Sequence, residues 1–468
     1  MRVGTSRRLS PICCLVFLLV GVQMITPLFA VPGESTALDN LFDFMKLAES
    51  DPESGRLAAL AARIRKDPAF RRERVSGWLH DMDLWEERRP GRQDLRVPVG
   101  HGQTRTLTLR IPRGYTQEQA WPLLYLGPSF LSYADQMLGA DVDKFIVAAP
   151  THYRQTGIDA PPPFTADHTA MLRAIRRAVH IDGDRQYAVG YSLGGYTAWT
   201  IAYLHAEEVA GAVAIGSAFS VPPAEDGVWK AVLPNMAHLR VLHVWGGRDT
   251  LDVPGLDLRS KGSMSDLNRR FRDWTRGMKL PVIDHEVPHK GHGGLLPPRG
   301  PLQEVLGRER VQYPKVVDHT FRHVHQGKAY WLEAHTWEGA HWGKDFPRTQ
   351  RKTGETEAQA FGRGIREALG RFRGEVQGQT LKVDTRHVGD FTVWIGDGMV
   401  DWNQPVTLVV DGKKVWEGDL DPDLHLCLAQ AARTRDFDRL RWAGLRVDDD
   451  RRVSVVTAET ELPSLLPD

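Results

Sequence analysis

Residues 190 to 195 read Gly190, Tyr191, Ser192, Leu193, Gly194, Gly195. A serine with small neighbours in this pattern suits a nucleophile on a turn too sharp to admit side chains at the flanking positions. The run Tyr187, Ala188, Val189 before it reads as a buried strand, and Tyr196 to His205 after it reads as a helix. Such a turn lifts the hydroxyl into a pocket and aims the helix N-terminus at a reacting carbonyl, whose developing negative charge the backbone amides bind. A serine hydroxyl is a weak nucleophile, so this chemistry needs a base in reach and a third group to orient the base. Suitable residues follow in chain order, acid first and then histidine. Asp249 comes after the apolar run Val241 to Trp245 and the turn Gly246, Gly247, Arg248, while His292 sits between Gly291 and Gly293. His292 would take the proton from Ser192, Asp249 would fix the imidazole tautomer, and Leu193 would offer one oxyanion amide. Asp252 is the rival acid, and His285 and His289 are rival bases. Asp249 is preferred for its place nearer the strand end, and His292 for its glycine neighbours. A second glycine, histidine, glycine triplet at 100–102 precedes the serine and reads as a turn into the strand Thr104 to Ile111.

The elements that must hold these groups carry further phrases: Leu109 to Tyr115, Trp121 to Leu124, and Ile181 to Arg185. With the serine turn and the order serine, acid, histidine, residues from about 104 to 298 resemble the esterase and depolymerase-like branch of the α/β-hydrolases, and also prolyl oligopeptidase-type catalytic domains. The resemblance implies an α/β fold, with a mostly parallel sheet flanked by helices. In that family the strand after the proline ends in a histidine and glycine pair that shapes the oxyanion hole. Here the stretch is Tyr125, Leu126, Gly127, Pro128, Ser129, Phe130. Pro128 has no amide hydrogen, so the second donor falls to Gly127, Ser129 or Phe130.

The first thirty residues read as an export signal: Arg2, Arg7 and Arg8 precede an apolar run from Ile12 to Ile25 that ends near Ala30. An uncleaved membrane anchor is the alternative, and no other stretch is long and apolar enough to span a bilayer. Removing 1–30 leaves Cys427 as the single cysteine, so an exported chain folds without an internal disulfide. Residues 31–95 carry leucine, alanine and phenylalanine at helical spacing, for example Leu57, Leu60, Ala61 and Ile64. This small helical region is expected to pack on the back of the sheet, with a lid over the site as the other reading. Residues 96–308 form the expected catalytic domain, and 309–468 a β-sandwich-like accessory domain. In the tail, Thr380 to Val383 and Phe391 to Ile395 read as strands, and Asp411 with Gly412 joins Val406–Val410 to Lys414–Trp416 as a hairpin. Helices are expected over 355–372 and 424–432. Lys328 to Leu332 and Asp397 to Val406 are similar to the C-terminal domain that accompanies such hydrolases in some exported bacterial proteins.

A formal net charge of +1 with 41% hydrophobic and 25% charged residues describes an ordinary globular chain and argues against a polyanion partner. No basic stripe interleaved with aromatics points to nucleic acid. His319, His323, His325, His335 and His341 crowd the start of the tail, and His323 with His325 would face one side of a strand, a spacing fit for two metal ligands. No third ligand is fixed by spacing, so no metal and no cofactor is assigned. The nearby tryptophans suit stacking on a sugar or polymer, though core packing is commoner. The expected partner is an ester-containing small molecule or polymer, and the expected activity is that of an exported serine hydrolase. A prolyl oligopeptidase-type peptidase is the rival enzyme, although no propeller-like repeat precedes the catalytic segment. A catalytically silent hydrolase-like binding protein is the third class.

Overall fold

The computed structural model describes residues 34–99, 102–127, 131–150, 162–219, 226–250, 262–339 and 351–461. The export signal, Ser129, Asp252 and His341 lie outside them. Three helices open the described chain, α1 (Glu34–Ser50), α2 (Arg56–Lys66) and α3 (Val75–Asp81).

Next come β1 (Gly91–Pro98), β2 (Thr104–Ile111), β3 (Trp121–Leu126), α4 (Leu131–Leu138), β4 (Ile146–Pro150), α5 (Pro162–Ala178), β5 (Ile181–Tyr191) and α6 (Leu193–Leu204). The series continues with β6 (Gly211–Ile215), α7 (Asp226–Val232), β7 (Arg240–Gly246), α8 (Met264–Gly277), β8 (Val282–Val287) and α9 (Arg299–Leu306). The eight strands form one sheet in the order β1-β2-β4-β3-β5-β6-β7-β8. β1 and β2 run antiparallel, as do β2 and β4, and every later neighbouring pair is parallel. Parallel strands need crossover helices, which cover both faces of the sheet, so the central strands β3, β4 and β6 are apolar throughout. Alternate residues then enter opposite cores: Leu123 and Tyr125 of β3 join one with Ala212 and Ala214 of β6, while Leu124 and Leu126 join the other with Val213 and Ile215. β1 starts inside the segment expected to be helical over 31–95. The sheet therefore begins at Gly91 rather than at 96, with strand β1 overlooked because its Arg92, Asp94 and Arg96 alternate with little that is apolar.

The tail adds β9 (Val316–Phe321), β10 (Lys328–Ala329), β11 (Leu332–Ala334), α10 (Glu357–Ala368), β12 (Gly370–Gln377), β13 (Thr380–Arg386) and β14 (Phe391–Gly396). It ends with β15 (Val406–Val410), β16 (Lys413–Gly418), α11 (Leu424–Thr434), β17 (Arg441–Val447), β18 (Val453–Val456) and the short α12 (Ala458–Glu461). Two five-stranded sheets, β10-β11-β14-β17-β18 and β16-β15-β13-β12-β9, share one core that includes Phe321, Trp331, Phe372, Leu381, Val393 and Leu445. Helix α10 stops at Ala368, short of the expected 372, because Phe372 turns into β12 opposite His319. His323 and His325 do not share a strand face. β9 ends at Phe321, His323 precedes a short 3-10 turn over 324–326, and the two rings stack at 5.3 Å.

The N-terminal helices correct another expectation. Ala37, Leu41, Phe44, Leu57, Leu60, Ile64 and Trp78 pack with Leu424, Cys427, Leu428 and Trp442 in one core. The helical region thus closes against α11 of the tail rather than on the back of the sheet. Contact with the segment that carries the eight-stranded sheet is narrower and more polar. His80 Nδ1 meets His180 Nε2 at 2.9 Å, His80 Nε2 meets Asp438 at 2.9 Å, and Trp85 stacks on His180 with ring centres 3.7 Å apart.

Candidate active site

β5 ends at Tyr191, and α6 starts at Leu193, which leaves Ser192 as the only residue between strand and helix. Its backbone sits at φ 53°, ψ −116°, a region that non-glycine residues seldom occupy. The turn closes because its neighbours lack side chains. A Cβ on Gly190 would overlap the Gly194 carbonyl, and one on Gly195 would overlap the Ser217 hydroxyl. A Cβ on Gly127 would come within 2.6 Å of Gly194 Cα, so the end of β3 presses against the start of α6. β3 and β5 are adjacent in the sheet, with β4 on the far side of β3, so the chain reverses its direction of winding at this place. Open α/β sheets form their crevice at the carboxyl ends of strands on either side of such a reversal.

The acid and the base come from the two strands beyond. Asp249 lies on the loop after β7 and His292 on the loop after β8, and backbone hydrogen bonds lace these loops together. Gly247 N donates to Val287 O at 3.0 Å and Arg248 N to Lys290 O at 2.9 Å. The loops approach so closely that a Cβ on Gly246 would overlap the Gly291 carbonyl. Gly291 and Gly293 themselves have room for a side chain, so the glycines that let the histidine approach are Gly246 and Gly247. Ser265 Oγ reaches the carbonyls of Gly246 and Asp249, at 3.0 Å each, and pins the acid loop to α8.

Ser192 Oγ lies 2.8 Å from His292 Nε2, and His292 Nδ1 lies 2.9 Å from Asp249 Oδ2. A carboxylate only accepts, so Nδ1 carries the hydrogen and Nε2 is left to accept from the serine hydroxyl. Asp249 is 1% exposed, whereas Ser192 and His292 are half-buried, so the acid is shielded and the reacting edge is open. His285 lies on β8 and His289 is exposed on the following turn; the ring that meets the serine is that of His292.

Leu193 is the first residue of α6, so its amide has no acceptor within the helix and faces the direction in which the helix dipole is positive. Gly127 is a correction: its amide donates to Val189 O at 2.8 Å, extending the β3–β5 ladder, and it has no hydrogen left for an oxyanion. Ser129 and Phe130 lie outside the described residues.

Two tyrosines brace the base and were not anticipated. Tyr191 donates its hydroxyl to the His292 carbonyl, and Tyr133 donates to Leu295 O at 2.8 Å, with the two rings 5.2 Å apart. Burial, and then the charge of Asp249, raise the Tyr191 phenol above its ordinary range and keep it a donor at neutral pH. Tyr191 adjoins the serine and could have been weighed from the motif; nothing in the sequence marks Tyr133 or Ser265. Among the described residues no group of three or more His, Cys, Asp or Glu side chains is placed to share a metal ion.

Residues 100–243 match a family model described as the alpha/beta hydrolase fold. The fold is that of the α/β-hydrolases. No curated protein sequence matches the chain. Among solved structures, a thermostable esterase aligns at 16% identity over 46% of this chain and 63% of its own, with a TM-score of 0.33. This chain thus spans somewhat under two thirds of that esterase's length. A ferulic acid esterase from Anaeromyces mucronatus aligns at 15% identity over 44% of this chain and 86% of its own, with a TM-score of 0.34. Dipeptidyl peptidase 4 of Porphyromonas gingivalis aligns at 13% identity over 44% of this chain and 33% of its own, with a TM-score of 0.32.

Proposed function

We propose that this chain is an exported serine hydrolase that cleaves a carboxylic ester through an acyl-enzyme. The observation that carries the reading is the unbroken line of two hydrogen bonds, Asp249 to His292 at 2.9 Å and His292 to Ser192 at 2.8 Å, ending on a serine held at positive φ. Ser192 Oγ attacks the ester carbonyl carbon while His292 Nε2 accepts its proton, and the Asp249 carboxylate balances the imidazolium that forms. The carbonyl oxygen gains a negative charge and accepts from the Leu193 amide. Collapse breaks the carbon to alkoxy bond, and His292 returns the proton to the departing alcohol. Water, deprotonated by the same nitrogen, then releases the carboxylic acid and restores Ser192.

The exposed side chains of Leu193 and Leu296, each 49% accessible, support an apolar group on one side of the scissile bond. The leader-like residues 2–30 support export.

A fluorophosphonate probe with peptide mass mapping, run beside Ser192→Ala, tests the nucleophile. The expected result is rapid labelling confined to Ser192 and turnover of model esters. A folded protein that takes up no label would overturn the proposal, and cleavage of short peptides but not esters would overturn the ester assignment.

A further inference from the structure

Helix α5 of the hydrolase segment meets α11 of the tail across a cavity of about 80 Å³ whose lining includes none of Ser192, Asp249 and His292. Its charged lining is lopsided. Arg173, Lys328, Arg433, Arg439 and Arg441 supply five cations against two carboxylates, Glu333 and Asp436. Both carboxylates are already engaged. Asp436 binds Arg310 through two hydrogen bonds of 2.7 and 2.9 Å, and Glu333 accepts from Trp394 at 2.7 Å and from Arg441 at 3.3 Å. Glu208, just behind, takes Arg176 at 3.1 Å and Arg439 at 2.8 Å, which leaves Lys328 a distant third partner at 3.9 Å.

Arg173 has no carboxylate and no hydrogen bond among the described residues, and its Nε is buried without a partner. The charged neighbours that act on it, Arg433 and Arg177, are cations. A guanidinium is an expensive group to leave half-buried and unpaired beside like charge, because it loses water and gains nothing in exchange. The Gln430 carboxamide, on a residue 9% exposed, lines the same space and has no hydrogen bond among the described residues. Arg173 and Thr169 line in addition a second, mostly apolar groove of about 1460 Å³ beside β1, with Leu95, Val97 and Ala170.

We propose that the α5–α11 cavity is a binding site for an oxyanion of the carboxylate or phosphate type, with Arg173 as its principal partner and Lys328 and Gln430 as supporting donors. A guanidinium suits this class because its planar fork donates two parallel hydrogen bonds to one oxyanion. The adjoining groove would take the chain of an acyl carboxylate, whereas a free inorganic ion would fill the cavity alone.

Isothermal titration of the full chain with inorganic phosphate, acetate and octanoate, at constant ionic strength, tests this. Saturable binding of at least one is expected. Octanoate binding more tightly than acetate identifies the head group of an amphiphile, and phosphate binding alone identifies a free ion. Arg173→Met should weaken binding roughly tenfold or more, while the melting temperature without ligand stays the same or rises, since an unpaired buried charge is gone. A purely structural arginine would lower it. Should that variant fail to fold, phenylglyoxal modification of the wild-type chain serves in its place: Arg173 should react and be protected by the anion. Absence of saturable binding by all three anions, undiminished binding by Arg173→Met, or modification of Arg173 that the anion leaves unchanged would overturn the proposal.

Discussion

In the proposed mechanism Asp249 fixes which nitrogen of His292 carries the hydrogen, through the 2.9 Å contact with Nδ1. An amide in its place keeps the shape but favours the wrong tautomer, so Asp249→Asn should lower kcat on a model ester by about 10⁴-fold with KM little changed. Steady-state kinetics on the purified variant checks this. The glycines separate by surroundings rather than by motif. Gly190→Ala would drive a methyl into the Gly194 carbonyl, a backbone atom that cannot yield, and should abolish soluble folded protein; Gly293→Ala meets open space and should change stability by no more than about 0.5 kcal/mol in urea unfolding. Ser192, Asp249 and His292 could be singled out because the proposed chemistry demands those residue types in that order, and the fold brings the three side chains within hydrogen-bond reach. Gly127 was misread because the fate of an amide depends on strand register, and pairing with Val189 is a long-range fact that no local pattern carries.

Where three elements meet, His80 of α3 joins His180, just before β5, and Asp438 beyond α11. His80 donates from both ring nitrogens when charged, and neutral His180 accepts from it while donating Nδ1–H to Gln117 O at 2.8 Å. The shifts agree: burial pushes His180 down to about 4, while for His80 the cost of burial is outweighed by the Asp438 hydrogen bond and charge, which raise it. A raised folded value gives stability that is complete below the unfolded pKa of about 6.5 and is lost as pH climbs through the folded value; a lowered one gives stability complete above 6.5 and lost as pH falls toward 4. Buried His168 and His319, both pushed by burial to about 4, act on the acid side with His180. The urea midpoint should therefore peak near pH 6.5, fall on the acid side by the equivalent of several kcal/mol by pH 4, and lose its alkaline decline in His80→Asn. Element by element, the tail hairpin at Asp411 and Gly412 was readable from its turn, with Asp411 at φ 49° and Gly412 at φ 77°. β12 was hidden because Arg371, Arg373 and Glu375 line its outer side and it follows α10 after a single residue.

Across the whole molecule the tail is a structural partner of the α/β-hydrolase segment. Arg310 enters a buried pair with Asp436 and also holds Asp184, while Asn235 donates to the carbonyls of both Tyr203 and Thr320. Asp436→Ala removes the two-hydrogen-bond partner of a fully buried guanidinium, leaving Arg310 with Asp184 alone, and should cost about 3 kcal/mol, read from the denaturation midpoint. Truncation after Leu306 removes α11 and Trp442 and leaves the apolar faces of α1, α2 and α3 without a partner, so the shortened chain should aggregate in size-exclusion chromatography rather than elute as a folded monomer. This arrangement was beyond the sequence, whose helical periodicity marks an apolar face but not what covers it. It also sets a timetable for synthesis. Helices α1, α2 and α3 leave the ribosome well before α11, and their core cannot close until Leu424 to Trp442 emerge, which at ordinary elongation rates is roughly tens of seconds later. Throughout that interval their leucines and aromatics stay available to a chaperone, and resistance to proteases should arrive in α1, α2, α3 and α11 in one step.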